Sequence, residues 1–540
     1  MTRGRDFLCA GALSAASPTS RAPGDQRRPP PPPSDAAQDS RRAGSGYPQQ
    51  AMPYQQQQGL TPTLVLAVLS SAVGSAFQHG YHLGVVNSPQ EVLETFINET
   101  LAERYGEPTP RSAVTLVFSV FVAVFCVGGM LGGLLTAVVA DRFGRKGGLM
   151  LNSGLVFAAA ALLTLARGAA SCELLVVGRL VAGVNAGLTA GLAPMYLTEI
   201  SPVRYRGAAG TIYQLVLTLS ILLAQLLGIP QILGNDELWP YLFALTVVPS
   251  VLMVVSLPFC PESPKYLLLV RGRPKQAEEA LVRLRGTRDV DKEMAVMKNE
   301  AEAAEFVPKV TLPEMMRNAS LRAPLIVSLM VMLAQQLSGI NAAIFFSTDI
   351  FKTAGLSVEG ALRATLGLGL VNVLMTLVSM VVVERAGRRT LLLTGLAGMA
   401  ICTVVLTITL ALKEHATWVS YISIAGLAMF VITFAVGPGS IPWFLVTELF
   451  GQGARPIATS LAVAVNWAAN FVVGLAFLPL MEEIQHFTFL IFTMVLVFFW
   501  VFIYKKLPET KNKSIEAITK VFRARVYQED VALNKLNGRA

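Results

Sequence analysis

From about Thr63 onward the chain is a succession of apolar runs separated by short polar stretches. Twelve of the runs are long enough to cross a bilayer, which takes about 20 helical residues. They fall near 63–86, 113–140, 148–167, 173–198, 207–229, 239–258, 322–346, 362–383, 390–412, 418–446, 456–480 and 486–504. In hydrocarbon every backbone N–H and C=O must be paired within its own segment, so runs of this kind are helices. A charged stretch, 262–320, divides them six from six. Its apolar residues recur at helical spacing among Arg271, Arg273, Lys275, Glu278, Glu279, Arg283 and Arg285, which predicts short helices on the membrane surface. The expected organisation is a six-helix bundle over 59–260, linker helices over 261–320, a second six-helix bundle over 321–507 and a cytoplasmic tail over 508–540. Residues 1–58 are a polar low-complexity segment with prolines at Pro29–Pro33 and glutamines at Gln55–Gln58, expected to be a disordered cytoplasmic tail. Its prolines are of the kind an SH3-type module reads; a passive tail is the plainer reading.

Composition agrees with the pattern. Hydrophobic residues make up 53% of the chain and charged residues 15%, against about 25% charged in soluble proteins. Mean hydropathy is +0.53. The net charge of +9 does not point to nucleic acid, because the basic residues gather on short loops between the runs. Asp141-Arg-Phe-Gly-Arg-Lys146 follows the second run, Arg204 and Arg206 the fourth, Glu384-Arg-Ala-Gly-Arg-Arg389 the eighth and Arg455 the tenth. Such loops are cytoplasmic, which places both termini inside. The loop after the first run carries Glu91, Glu94, Glu99, Glu103 and Glu107, and it is expected outside. There Asn98-Glu-Thr100 is a glycosylation acceptor, whereas Asn318-Ala-Ser320 and Asn512-Lys-Ser514 match the same pattern on the inside and should stay bare. The five cysteines are scattered, with neither a disulfide framework nor zinc spacing. No run carries a nucleophile–base set, a metal cluster or a nucleotide loop, so neither an enzyme nor a cofactor is expected.

The two halves repeat each other. Asp141-Arg-Phe-Gly-Arg-Lys returns as Glu384-Arg-Ala-Gly-Arg-Arg, Thr198-Glu199 with Arg206 as Thr447-Glu448 with Arg455, and Pro261-Glu-Ser-Pro-Lys as Pro508-Glu-Thr-Lys. Parallel repeats about an axis along the membrane normal describe one large transporter architecture, with substrate bound between the halves. Acidic partners repeated with the basic ones are not explained by topology alone. The charges Arg145, Glu199, Arg206, Glu384, Arg388, Glu448 and Arg455 are therefore expected to form a cytoplasmic gate, paired while the outer side is open.

Polar side chains inside the runs mark a site, since an unpartnered amide in hydrocarbon is costly. The seventh run holds Gln335, Gln336 and Asn341, with Gly339 between them as a place for the helix to bend or break. Neutral amides donate and accept, which suits a polyhydroxy ligand. Asn372, Asn466, Asn470, Gln214 and Gln225 are further amides deep in apolar runs. For Gln225 and Asn466 a helix–helix hydrogen bond is an equally good account. Gly437-Pro-Gly-Ser-Ile-Pro-Trp443 predicts a discontinuous tenth helix.

Together these motifs, with Gly178-Arg179 and Gln335-Gln-Leu-Ser-Gly-Ile-Asn341, resemble the sugar porters of the major facilitator superfamily, specifically the facilitative glucose transporters of animals. The resemblance spans Thr63 to Phe522. It implies an all-α membrane protein of twelve helices in two pseudo-twofold halves, carrying hexose by alternating-access uniport in the plasma membrane. Carried over by position, D-glucose is held by Gln214, Gln335, Gln336, Asn341, Asn372, Trp443 and Asn470. Three departures from the family pattern stand out. Ala435 replaces a usual glutamate, Met332-Leu-Ala334 replaces a triplet common in glucose-selective members and leaves fructose open, and His79 and His82 replace an aromatic residue and an asparagine. Proton-coupled relatives carry aspartate at position 82, and the first run contains no acid. A proton–sugar symporter and a non-transporting sugar sensor are the alternatives to a uniporter. An intramembrane histidine is a candidate for function by default, but a neutral, hydrogen-bonded imidazole is the simpler reading. His82→Asn is therefore expected to leave hexose uptake largely intact; loss of uptake with a new pH profile would argue for coupling.

Overall fold

The computed structural model describes residues 60–524 apart from 107, 307, 309, 414–417, 452, 512, 514 and 516. The proline-rich tail with its expected SH3-type contact and the Asn512 sequon lie outside the described residues. Every regular element among the described residues is helical. Ten helices are long and apolar enough to span a membrane. One of these, Arg455–Lys506, is two helices end to end, parted by a 3-10 turn at Gln485–Phe487, and a shorter apolar helix, Ile212–Leu227, completes the set. All twelve expected runs are thus helices: α1 Pro62–Gly84, α2 Arg111–Phe143, α3 Arg145–Gly168, α4 Cys172–Ile200, α5 Arg206–Leu227, α6 Trp239–Phe259, α7 Ala319–Thr353, α8 Val358–Arg385, α9 Arg388–Ala411, α10 Val419–Val436 continued by Ile441–Leu449, α11 Arg455–Ile484 and α12 Thr488–Lys506. The protein is a multi-pass membrane protein.

Local chemistry sets the helix ends. Thr61, Ser171 and Ser357 cap α1, α4 and α8, each side chain accepting from a backbone N–H of the first turn. Asn318 caps α7 in the same way, accepting from the Ser320 N–H. The loop between α1 and α2 is itself largely a helix, Gln90–Tyr105, which the apolar pattern did not reveal because its exposed face is charged. Asn98 lies exposed on it, whereas Thr100 is buried.

In the first half α4 packs along α2 and α3, and α1 along α5; in the second, α9 packs along α10 and α12. The halves meet where α2 runs beside α11 and α5 beside α8, two contacts that the internal repeat makes equivalent. The α2–α4 approach depends on glycine. A Cβ on Gly128 would sit 2.1 Å from the Leu180 carbonyl oxygen, and one on Gly183 2.1 Å from that of Phe125. Small residues at four-residue spacing let two backbones come together where lipid supplies no hydrophobic force between helices.

The charged linker forms the helices Pro264–Leu269, Pro274–Arg285, Asp291–Glu305 and Leu312–Arg317, as its periodicity indicated. The first three of them share a small core of Ala277, Leu281, Val290 and Met294. Buried Arg285 ties them to the bundle: its guanidinium donates to Glu293 at 2.6 and 3.0 Å and to the Ile200 carbonyl at the end of α4 at 2.8 Å. Ile518 and Phe522, beyond α12, are also buried in the main core.

A side chain at Gly183 forces α2 and α4 apart, at a cost of about 1–3 kcal/mol for overpacking. Gly183→Leu is expected to lower the melting temperature of the detergent-purified protein. Gly154→Leu, on a surface with nothing within 4 Å, is expected to leave it unchanged.

Candidate functional site

Two broken helices face each other in the second half. Gly339, at φ +92°, ends Ala319–Leu337 and starts Ile340–Thr353, splitting α7. Only a residue without Cβ takes that conformation cheaply. The helix bends again at Phe346 (φ −130°). In α10, helix stops at Val436 and resumes at Ile441. Breaks of this kind leave carbonyls without intrahelical donors, and an amide answers them: Gln335 Nε2 donates to the Pro438 oxygen at 2.8 Å and to the Gly439 oxygen at 2.7 Å.

From there a network of four buried amides runs between α7 and α11. Asn466 Nδ2 donates to Gln335 Oε1 at 2.7 Å, Gln336 Nε2 donates to Asn466 Oδ1 at 2.9 Å, and Asn341 Nδ2 donates to Gln336 Oε1. Three of these amides are expected site residues; Asn466, the hub, is an amide whose sequence context fits a helix–helix hydrogen bond equally well. Asn470, one turn along α11, is buried with its Oδ1 unpartnered. Gln214 is exposed, Trp443 is 40% exposed and Asn372 is half-buried beside a small cavity. Among the described residues no side-chain hydrogen bond joins these last four to the network. Next to the hub, Trp467 stacks on His79 of α1 with ring centroids 5.8 Å apart, and His79 Nδ1 lies 3.3 Å from the Tyr213 hydroxyl. His79 therefore bridges the halves, a role its sequence position did not disclose. His82 is buried within the first half. Its carbonyl accepts from Arg179 at 2.9 Å, and the Arg179 guanidinium lies over the rings of Phe121 and Phe125.

Among the described residues, the hydrogen bonds and ion pairs between the halves lie at the end opposite the basic loops. Asn87, after α1, donates to the Ile344 carbonyl and the Ser347 hydroxyl, both at 2.7 Å, and accepts from the Thr348 N–H at 3.1 Å. These are groups of α7 flanking its bend at Phe346. Lys352 pairs with Glu91 at 2.6 Å, and Arg111 and Thr115 both reach Glu482.

At the basic end the ion pairs stay within each half. Arg145 binds Glu199 through two bonds of 2.8 and 3.0 Å, and Arg388 binds Glu448 at 3.1 Å. Arg455 donates to the Phe450 carbonyl at 3.2 Å. The side chains of Arg206 and Glu384 lie outside the described part of the structure. The third repeated motif supplies a role that its residues alone did not show. Glu262 accepts from the N–H groups of Arg145 (3.1 Å) and Lys146 (3.0 Å), capping α3, and Ser263 donates to Glu199. In the second half Glu509 accepts from the N–H groups of Arg388 (2.9 Å) and Arg389 (3.1 Å), capping α9, and Thr510 donates to Glu448. A carboxylate at a helix N-terminus is favoured by the orphan donors and by the dipole.

Residues 67–522 match the family described as "Sugar (and other) transporter". The chain belongs to that family. Among its relatives is solute carrier family 2, facilitated glucose transporter member 1 of Gallus gallus, 45% identical over 86% of this chain and 94% of that protein. Member 3 of Homo sapiens is 42% identical over 88% of this chain and 95% of that protein. Among solved structures, a partially occluded inward-open conformation of the E. coli xylose transporter XylE superposes with a TM-score of 0.70 at 25% identity, covering 84% of this chain and all of that one. The fold is accordingly the major facilitator fold, in two six-helix halves, and the family is one of transporters rather than enzymes.

Within this sugar transporter the two carboxylate caps are structurally equivalent. Removing an N-terminal cap costs about 0.5–2 kcal/mol. Glu262→Ala and Glu509→Ala are each expected to lower the melting temperature, and the double variant to show the sum, since the caps sit in different halves.

Proposed function

We propose that the chain is a facilitative hexose uniporter of the plasma membrane, carrying D-glucose, with fructose as a second candidate sugar, by alternating access. The observation that carries this is the buried amide network at the junction of two broken helices: Gln335, Gln336, Asn341 and Asn466 offer neutral donors and acceptors and no carboxylate. Neutral amides match sugar hydroxyls without demanding a charged substrate. Gln214, Asn372, Trp443 and Asn470 complete the proposed site, Trp443 giving an aromatic face for the pyranose ring. The names of the relatives, facilitated glucose transporters at 45% and 42% identity, support the same reading.

In this reading the basic loops and both termini are cytoplasmic, and Asn98 is an external glycosylation site. The arrangement is then inward-facing: the outer seam is tied by Asn87, Lys352–Glu91 and Arg111–Glu482. The gate pairs expected while the outer side is open, Arg145–Glu199 and Arg388–Glu448, are formed here although the outer seam is tied; in this reading they act inside each half, holding α3 to α4 and α9 to the end of α10 so that each half moves as a unit. Uniport rather than symport is supported by α1, which has no acidic residue, and by Arg179, which makes no ion pair among the described residues.

The test is uptake of labelled glucose and fructose into proteoliposomes, with and without a proton gradient. Equilibration without accumulation is expected in both conditions; gradient-driven accumulation would replace uniport by symport. Gln335→Leu removes both the cavity amide and the donor to two carbonyls. It is expected to lower uptake about tenfold or more at normal surface expression, and unchanged uptake would refute the site.

A further inference from the structure

The outer seam carries more acid than base. Glu91 and Glu94 on the helix Gln90–Tyr105, Asp349 on α7 and Glu482 on α11 gather there around Arg111 of α2 and Lys352 of α7. Both cations are engaged, Lys352 with Glu91 at 2.6 Å and Arg111 with Glu482 at 3.2 Å. Glu94 and Asp349 have no cation of their own among the described residues. Arg111, Asp349 and Glu482 all bear on Glu94, and Lys352, Arg111, Glu91 and Glu482 bear on Asp349. Glu94 belongs to the first half and Asp349 to the second. Closing the seam therefore brings two like charges together.

The surroundings of Glu94 favour its acid form. It is half-buried, and Gln90 Nε2 donates to its Oε1 at 2.7 Å. Gln90 itself is 7% exposed, and its Oε1 has no hydrogen-bond partner among the described residues. A carboxylate only accepts, whereas a carboxylic acid also donates. A proton on Glu94 thus places a donor beside a buried oxygen that lacks one, and it removes the repulsion toward Asp349. Burial holds the Glu94 carboxyl above its ordinary value, and the Asp349 and Glu482 carboxylates push the same way against Gln90 and Arg111. When the halves part, water reaches Glu94 and Asp349 moves away, so the carboxyl returns toward that ordinary value. The closed seam then binds the proton more tightly than the open one, and falling pH favours closure. Each of the two ion pairs has a well-exposed partner and contributes little in water, so their loss in acid does not reverse the sign.

We propose that this cluster is a proton-sensitive latch: acid outside the cell neutralises Glu94, holds the outer seam shut and keeps the carrier facing inward. The proton acts on the resting conformation and is not carried with the sugar. This rests on the reading above that this end faces outward and that the halves part there.

The test is the distance across the outer seam in the full-length protein, measured by pulsed electron paramagnetic resonance in lipid nanodiscs. Spin labels go on Glu103→Cys and Val358→Cys in a Cys9→Ser background; both positions are exposed, and Cys126, Cys172, Cys260 and Cys402 are buried. Between about pH 7.5 and about pH 5.5 the ratio of the short, closed population to the long, open one is expected to rise about three- to tenfold. Glu94→Gln, neutral at every pH, is expected to favour the short distance already at the higher pH and to show no further rise. Asp349→Asn is expected to lower the pH at which the rise is half complete, because it removes the partner charge. A wild-type ratio that does not change with pH, or a rise that survives Glu94→Gln, would overturn the latch alone. A wild-type protein with one fixed distance at every pH, with and without glucose, would overturn the alternating-access reading itself.

Discussion

Backbone groups have nowhere to go in a bilayer, and the architecture turns on how this chain meets that constraint where its helices break. The breaks in α7 and α10 release carbonyls in the middle of the molecule, where water is scarce and lipid offers nothing. Gln335 takes two of them with a single amide nitrogen. Its own oxygen is then held by Asn466, which passes the connection to Gln336 and Asn341. The groups that repair the broken helices are the ones proposed above to hold a sugar. Under that proposal, a ligand that takes these amides competes with the Gln335 bonds that hold α7 to α10.

The same economy governs the basic end. Two motifs that look like unrelated charge clusters in the sequence converge, in each half, on one helix start. Glu262 caps α3 beside the Arg145–Glu199 pair, and Glu509 caps α9 beside Arg388–Glu448. Because these pairs close within a half, they stiffen each half and leave the seam at that end to other groups. The ties between the halves sit at the opposite end, where Asn87 takes hold of α7 at its second bend. Halves tied internally, with their seam tied at one end, are what the proposed alternating access requires.

Much of this was legible in the sequence. Each of the twelve apolar runs is a helix, the linker is helical, and the breaks at Gly339 and Gly437–Gly439 fall where glycine and proline announced them. Gln335, Gln336 and Asn341 announced themselves as amides in an apolar run. Other features were silent. Helix Gln90–Tyr105 leaves little mark on the apolar pattern, because charged residues interrupt its apolar positions. Asn466 and Gln225 looked alike in sequence, each an amide in an apolar run, yet one is the hub of a network and the other has an unpartnered oxygen. The bend at Phe346 has neither glycine nor proline to mark it.

By itself the sequence determined that this chain crosses a membrane twelve times, in two like halves, with neutral polar groups in its middle. Hydropathy is a local property, and hydrocarbon leaves a polypeptide run of that length no choice but helix. Only the tertiary structure decided which amide meets which, that the ion pairs close within halves, and which end of the seam is tied. Those outcomes depend on how each helix is rotated and bent against neighbours more than a hundred residues away. That rotation is set by close packing, such as the glycine contact of α2 with α4, and no local pattern encodes it.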